Sequence, residues 1–296
     1  MELSKQIAHK KIGLVLSGGG VKGVAHIGVI EALLQRDIQP SVVSGVSAGA
    51  IVGALYANNI PTQEMVAFFK QTPLFKYNHI TINKPGLFDT EKYAIFFDTY
   101  FPENTFEALQ KPLYVVATNL LLGTATFFHS GTLVQAVLAS AALPPVFSPV
   151  IIDGTPHADG GIMNNFPIEP LQDTCDYIIG SYTTAMKEVT PAMVKNSLQL
   201  TQRTNTLMLH ANAMQKLHLP NMLFTPKNLD SIWVLDKKGI EKAYTLGYDY
   251  ANAFLDDLAA KEQGVLWREI NYVESSICHA TLAITGNSPK SYVLQS

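Results

Sequence analysis

The chain contains little cysteine and little charge. Only two of its 296 residues are cysteines, Cys175 and Cys278, and they lie far apart without the spacing of metal ligands. Such low use of cysteine is typical of a reducing compartment, or of indifference to redox state. Charged residues make up 15% of the sequence and sum to a net charge of -3, without a basic stripe. We therefore predict that the protein does not bind nucleic acid.

Long hydrophobic runs are missing as well. No stretch reaches the roughly 18 apolar residues that a membrane span needs, so we predict no transmembrane segment. The first apolar run, 12–16, is too short for the core of a signal peptide and leads directly into glycines. We expect a soluble, cytoplasmic protein and leave open a peripheral contact with a membrane. With 47% hydrophobic residues, the chain can fill one large core, or one core with a smaller cap.

The first sixty residues alternate between short apolar runs and helical patterns. Residues 12–16 predict a buried strand, and 24–36 carry apolar residues at helical spacing. Residues 40–44 predict a second strand, and 50–56 a second helix. This β-α-β-α order is typical of a parallel sheet with crossover helices.

Residues 61–110 differ in composition from the residues before them. They are rich in Phe and Tyr and are interrupted by prolines, which predicts a helical insertion packed on the sheet as one wall of a substrate cleft. Within it, Asp89-Thr90 predicts the cap of a helix over 91–100. Phenylalanines of this insertion either line an acyl channel or belong to the ordinary core: Phe68, Phe69, Phe75, Phe96, Phe97 and Phe101.

The remaining pattern predicts one domain over residues 1–296. Its core occupies about 11–180, a helical part follows at about 190–262, and a tail over 275–296 shows no periodicity and is expected to be poorly ordered. The further predicted strands are 112–118, 125–128, 150–152 and 177–180, and the further predicted helices are 133–142, 192–217 and 240–260.

A glycine loop, Ser17-Gly18-Gly19-Gly20-Val21-Lys22-Gly23, follows the first strand and opens the first helix. Its spacing matches a dinucleotide-binding fingerprint, but no acidic residue ends the second strand, as that site would require. A nucleotide-binding module is therefore the minor hypothesis. The favoured one is an oxyanion hole, because consecutive glycines leave free N–H groups at a helix N-terminus. Lys22 either has a role in this loop, by adding positive charge or by tying the loop to a carbonyl or carboxylate, or is an ordinary solvated lysine.

The stretch Gly45-Val46-Ser47-Ala48-Gly49 lies between the second strand and the second helix, as a nucleophile elbow does. Its flanking glycines lack the Cβ atoms that would collide where strand and helix fold back on each other. Loops after adjacent parallel strands meet at the same edge of a sheet. We therefore predict that Ser47 lies beside the glycine loop.

A third motif, Ala158-Asp159-Gly160-Gly161, follows a predicted turn at Asp153-Gly154. It is either an ordinary turn or the position of a base that accepts the proton of Ser47. A triad would need a histidine between serine and acid. By chain order His210 or His218 qualifies in an α/β-hydrolase, whereas His26 near the glycine loop is better explained as a packed histidine. A Ser-His-Asp esterase therefore remains the alternative.

The glycine loop, the Ser47 elbow and the Asp159 motif, in this order, resemble the patatin-like phospholipases. Two further stretches are similar to that family: Ala139-Ser140-Ala141-Ala142-Leu143-Pro144-Pro145-Val146-Phe147 before Asp159, and Asn164-Asn165-Phe166-Pro167 after it. The resemblance covers roughly residues 11–180. Lys22 stands where many members have arginine, which keeps the charge but loses the planar fork.

The resemblance implies a three-layer α/β/α sandwich with a central, mostly parallel sheet. It implies a Ser-Asp dyad, with Ser47 as nucleophile and Asp159 as base, that hydrolyses acyl esters of lipids at a membrane or micelle surface without metal or cofactor. The oxyanion hole would come from the amides of Gly18, Gly19 and Gly20. The supporting motif positions are Lys22, Gly23, Gly45, Gly49, Gly160 and Gly161.

Overall fold

The computed structural model describes residue 5 and residues 7–73, 77–186, 188–191 and 194–262. Residues 1–259 form one compact unit, and of a second unit, 260–296, only the first three residues are described. The predicted tail over 275–296 lies outside the described residues. Within the described ranges, no helix has the length and apolar character to cross a membrane.

Among the described residues, eight strands form one sheet, and helices connect and follow them. The strands are β1 (Ile12–Leu16), β2 (Val42–Val46), β3 (Leu113–Asn119), β4 (Thr124–Phe128), β5 (Val150–Ile152), β6 (Thr155–Asp159), β7 (Tyr177–Ser181) and β8 (Met222–Phe224). The α-helices are α1 (Ala25–Leu34), α2 (Ala48–Ala57), α3 (Thr62–Gln71), α4 (Leu133–Ser140), α5 (Glu169–Gln172), α6 (Ser197–Met214) and α7 (Ile240–Glu262).

The centre of the sheet is parallel. The order is β5-β6-β3-β2-β1-β7-β8, with β4 paired to β3 in addition. From β3 to β8 all neighbours run parallel, and only the β4, β5 and β6 pairings are antiparallel. The predicted α/β fold with a mostly parallel central sheet is confirmed.

Both faces of the sheet are covered, because successive strand residues enter two different cores. Leu14, Leu16 and Ile179 belong to a large core cluster, while Val15 and Ile178 belong to a second, smaller cluster. Side chains of a strand alternate between the two faces of its sheet, so the two clusters lie on opposite sides. The result is the three-layer arrangement expected from the resemblance.

Strand β3 aligns the two strands that end at the candidate site. β2 and β6 pair with the same edge of β3: β2 runs parallel to the first half of β3, and β6 runs antiparallel to its second half. β4 pairs with the other edge of β3. The last residue of β2, Val46, lies opposite Val116, and the last residue of β6, Asp159, lies opposite Ala117. The two strands therefore end head to head.

Two parts of the fold differ from the sequence prediction. Among its described residues, the insertion at 61–110 contains one α-helix, α3. The predicted helix over 91–100 is instead a 3-10 helix, Thr90–Phe96, although Asp89 does cap it by accepting a hydrogen bond from Glu91 N–H. Prolines interrupt this stretch too often for longer α-helices. The sequence does not predict strands β6 and β8, because three to five residues without a clear alternation of apolar and polar side chains carry no strand pattern.

Candidate active site

Ser47 occupies a strained turn between β2 and α2. Its backbone has φ 54° and ψ -126°, a conformation that a residue with a side chain rarely adopts. A Cβ atom on Gly45 would lie 2.4 Å from Gly49 O, and one on Gly49 would lie 2.4 Å from Leu16 O. Both flanking positions therefore require glycine, as the elbow predicts.

The Ser47 hydroxyl contacts Asp159 directly. Ser47 Oγ donates a hydrogen bond to Asp159 Oδ2 over 2.7 Å, and Gly161 N–H donates to Asp159 Oδ1 over 2.8 Å. Asp159 is only 3% exposed, and this burial raises its pKa to about 6, against the opposing effect of the two hydrogen bonds. The carboxylate is thus a stronger base than an ordinary aspartate.

The C-terminal end of α4 holds both members of this pair. Ser47 N–H donates to Ser140 Oγ over 2.8 Å, and the Ser140 hydroxyl donates to Val116 O over 2.5 Å. Asp159 N–H donates to Ala142 O over 3.0 Å. Sequence reasoning did not assign a role to Ser140, although the small-residue stretch that contains it contributes to the family resemblance.

The glycine loop is fixed by side chains behind it. Gly18 N–H donates to Asn165 Oδ1 over 3.1 Å, and Gly18 O accepts from Ser17 Oγ and Thr183 Oγ1 over 3.1 and 3.0 Å. In the part of the chain that the structure describes, the N–H groups of Gly19 and Gly20 meet no acceptor. Of the three predicted amides, Gly19 and Gly20 are therefore the available donors, while the Gly18 amide anchors the loop.

Lys22 is 6% exposed and lines the pocket, so it is not a solvated loop lysine. Burial lowers the pKa of its ammonium group, and the negative charge of Asp230 opposes this effect. The structure therefore favours a role for Lys22 in the glycine loop over a solvated lysine.

The remaining motif glycines permit close approach between backbone segments. A Cβ on Gly23 would lie 2.6 Å from Ala48 Cβ, and one on Gly160 would lie 2.1 Å from Val116 O. A Cβ on Gly161 would lie 2.7 Å from a methyl group of Leu209 on α6. These contacts pack the glycine loop against the elbow, and the Asp159 turn against β3 and α6.

The candidate histidines lie in other surroundings. His26 is fully buried, with Nδ1 2.7 Å from Ser181 Oγ and Nε2 2.9 Å from Ser17 O, and burial lowers its pKa to about 4. His26 is therefore a packed, hydrogen-bonded histidine, as the sequence predicts. His210 Nδ1 lies 2.7 Å from the Tyr182 hydroxyl, and His218 is exposed.

Among the described residues, no histidine lines the pocket. Nor do they contain a group of three or more His, Cys, Asp or Glu side chains arranged to hold a metal ion.

Ser47 and Asp159 lie in a mainly apolar pocket. Its volume is about 1150 Å³, including space open to solvent, and the glycine loop forms part of its wall. Of the six predicted channel phenylalanines, Phe68, Phe69 and Phe97 line this pocket. Phe101 is buried in the core, Phe96 is partly buried against the core, and Phe75 lies outside the described residues. Leu138, Leu143, Phe147 and Leu209 are further lining residues.

Comparison with known proteins gives a consistent result. The model of the patatin-like phospholipase family matches residues 14–171. An uncharacterized NTE family protein of Mycobacterium tuberculosis is 34% identical over 164 residues, which is 54% of this chain and 45% of that protein. Lysophospholipase NTE1 of Phaeosphaeria nodorum is 26% identical over 89% of this chain and 19% of that protein. This chain thus spans less than half of either relative.

Among solved structures, VipD of Legionella pneumophila superposes with a TM-score of 0.51 at 17% identity, covering 83% of this chain and 67% of that one. At this identity the likeness concerns the fold alone.

Proposed function

This chain belongs to the patatin-like phospholipase family, and we propose that it is a serine lipid acyl hydrolase, which cleaves carboxylic ester bonds of phospholipids or related lipids. The observation that carries the proposal is the direct hydrogen bond from Ser47 Oγ to Asp159 Oδ2 inside an apolar pocket. A serine that is hydrogen-bonded to its base can attack the carbonyl carbon of an ester. The apolar walls of the pocket suit the acyl chain of such an ester.

In the proposed reaction Asp159 accepts the proton of Ser47 while Ser47 Oγ attacks the ester carbonyl. The N–H groups of Gly19 and Gly20 donate to the oxyanion that forms, and Asp159 returns its proton to the departing alcohol. Water then attacks the acyl-serine with Asp159 again as base, which releases the fatty acid and restores Ser47.

An aspartate is a weak base toward a serine hydroxyl, even with a pKa raised to about 6. Most of the rate enhancement therefore has to come from the preorganised amides of the glycine loop and from the fixed position of Ser47. Two hydrogen bonds support this view: the bond from Gly18 N–H to Asn165 fixes the glycine loop, and the bond from Ser47 N–H to Ser140 fixes the elbow.

Lysophospholipids are the first substrates to test. The fungal relative is named a lysophospholipase, and a lysophospholipid carries one acyl chain, which the apolar pocket at Ser47 could take. The alternative is an esterase with a Ser-His-Asp triad. The direct contact between Ser47 and Asp159 disfavours it, since a triad places the imidazole between serine and acid.

The test compares the wild-type chain with Ser47→Ala, Asp159→Asn and His210→Ala, using a p-nitrophenyl ester and a lysophosphatidylcholine assay with product identification. We expect the first two variants to lose activity on both substrates, and His210→Ala to retain it. Full activity of Asp159→Asn would contradict the dyad. Loss of activity in the His210 variant, with its fold intact by circular dichroism, would favour the triad.

A further inference from the structure

Residues 77–96 form a segment, here called the insertion surface, that exposes several large apolar side chains. Ile82 is 93% exposed, Tyr77 90% and Ile95 66%, and Ile80 and Leu87 are also exposed. A concentration of this kind within twenty residues is unusual for a surface that faces only water, and marks a surface that meets an apolar partner.

The insertion surface is an ordered scaffold. Thr81 N–H donates to Leu87 O over 3.1 Å, which closes a small loop around Ile82. Phe88 N–H donates to Val146 O over 2.9 Å, and Ser148 N–H donates to Phe88 O over 2.8 Å. Backbone hydrogen bonds therefore fasten the loop to the stretch before β5 and hold the backbone that carries Ile82 and Leu87 in position.

The same segment forms one wall of the proposed substrate pocket. Thr90 and Tyr93 line the pocket, whereas Ile95, two residues farther along the same 3-10 helix, is exposed. Phe88 packs its ring against Phe147, a further lining residue, with ring centroids 6.3 Å apart. The segment that exposes these apolar side chains therefore also contributes residues to the pocket wall.

The charges of the insertion surface compensate one another locally. Lys84 forms ion pairs with Asp89 and Glu91, and Lys92 Nζ donates to Asn78 O over 2.9 Å. The segment therefore offers apolar area without an excess of positive charge. Its chemistry fits the acyl region of an electrically neutral lipid layer better than an anionic headgroup surface.

We propose that the insertion surface docks onto the surface of a lipid aggregate, with Tyr77, Ile82 and Ile95 entering the acyl region. Docking there sets the pocket wall against the lipid layer, so that an acyl chain passes from the layer into the pocket without crossing water. This inference rests on the proposed lipid acyl hydrolase function, but its binding step is measured separately from hydrolysis.

The test uses the full chain and the double variant Ile82→Asp/Ile95→Asp. Both side chains are exposed, so the charges do not enter the core. The matched control is Leu219→Asp, which adds a charge at another exposed apolar residue, 40% exposed. Leu219 lies far from Ser47: two residues later, Asn221 N–H donates to Ile178 O near the start of β7, at the opposite end of the parallel strands from Ser47. Binding is measured by flotation with phosphatidylcholine vesicles, and turnover on lysophosphatidylcholine in those vesicles and on monomeric p-nitrophenyl butyrate.

We expect the double variant to bind vesicles about tenfold more weakly or worse, because two isoleucines that enter the lipid are replaced by charges that resist burial. Turnover in vesicles should fall in parallel, turnover of the monomeric ester should not change, and the control should match the wild type. Undiminished vesicle binding by the double variant would overturn the proposal. The proposal would also be overturned if the wild type self-associates, the double variant does not, and the double variant still binds vesicles. The insertion surface would then join two copies of the chain.

If the wild type binds vesicles through this surface but hydrolyses neither substrate, the docking proposal stands and the proposed function fails. If it hydrolyses both substrates and the double variant matches it in vesicles, the function stands and the docking proposal fails.

Discussion

Replacement of Asp159 by asparagine should abolish activity and yet stabilise the folded protein at neutral pH. Burial raises the pKa of Asp159 from an ordinary 3.8 to about 6, so the folded state holds its proton more tightly than the unfolded state does. At about 1.4 kcal/mol per pKa unit, keeping this carboxylate ionised costs the folded state about 3 kcal/mol.

The two pKa values of Asp159, 3.8 unfolded and about 6 folded, set the pH range over which ionisation destabilises the folded state. Between pH 3.8 and about 6 the folded state binds more protons than the unfolded state, so the wild-type free energy of unfolding falls as pH rises through this window. Above the window the full cost is present, and below it the cost vanishes. Asparagine has almost the same shape: its oxygen accepts from Gly161 N–H and its NH₂ donates to Ser47 Oγ, without a charge.

We therefore expect Asp159→Asn to be more stable than the wild type by up to about 3 kcal/mol at pH 8, and nearly equal to it at pH 4. Urea unfolding followed by circular dichroism at several pH values measures the difference. Asp153→Asn, the same change in the exposed turn between β5 and β6, is the control and should have little effect. Equal stability of Asp159→Asn and wild type at pH 8, or a gain confined to pH 4, would refute the reasoning.

Three further predictions concern the pH profile, the elbow amide and the elbow glycine. The value of kcat/KM should rise with pH with a midpoint near 6, because Asp159 must be ionised to accept a proton; a flat profile between pH 5 and 8 would contradict its role. Ser140→Ala should lower kcat more than it changes KM, and should lower the free energy of unfolding by about 1–3 kcal/mol, because Ser47 N–H loses its acceptor. An unchanged kcat would show that the elbow keeps its geometry without the Ser140 hydroxyl. Gly49→Ala should destabilise the fold by about 1–3 kcal/mol or more, since its Cβ would lie 2.4 Å from Leu16 O, and a neutral result would mean that the turn relaxes.

Two exposed positions near the end of β4 provide controls for these variants. Ser130→Ala removes a hydroxyl from a surface position and should change neither kcat nor stability. Gly131 has φ 78°, and a Cβ atom at this position would have no neighbouring atom within 4 Å, so Gly131→Asn places there a residue that tolerates this conformation. Small effects at both positions would show that the losses at Ser140 and Gly49 come from the contacts described.

The sequence predicts local parts of the candidate site well, because their chemistry lies within a few residues. The Ser47 elbow and the glycine loop are each contained in seven residues or fewer, and each follows an apolar strand that is visible as a run. The contacts that hold the elbow and the glycine loop in place are long-range in the sequence. Ser140 is 93 residues from Ser47, and Asn165 is 147 residues from Gly18. No local pattern indicates that these pairs meet, so one sequence does not predict them.

Asp159 is an intermediate case, and β3 explains why. Its motif was visible, but β6, the strand that delivers it, carries no alternating pattern. The structure shows that β2 and β6 approach β3 from opposite directions and end opposite its adjacent residues Val116 and Ala117. A slip of β6 by one residue would move Asp159 by about 3.3 Å and turn its side chain to the other face of the sheet. The 2.7 Å contact between Ser47 and Asp159 is therefore a property of strand register, and this register leaves no room for an imidazole between the serine and the acid.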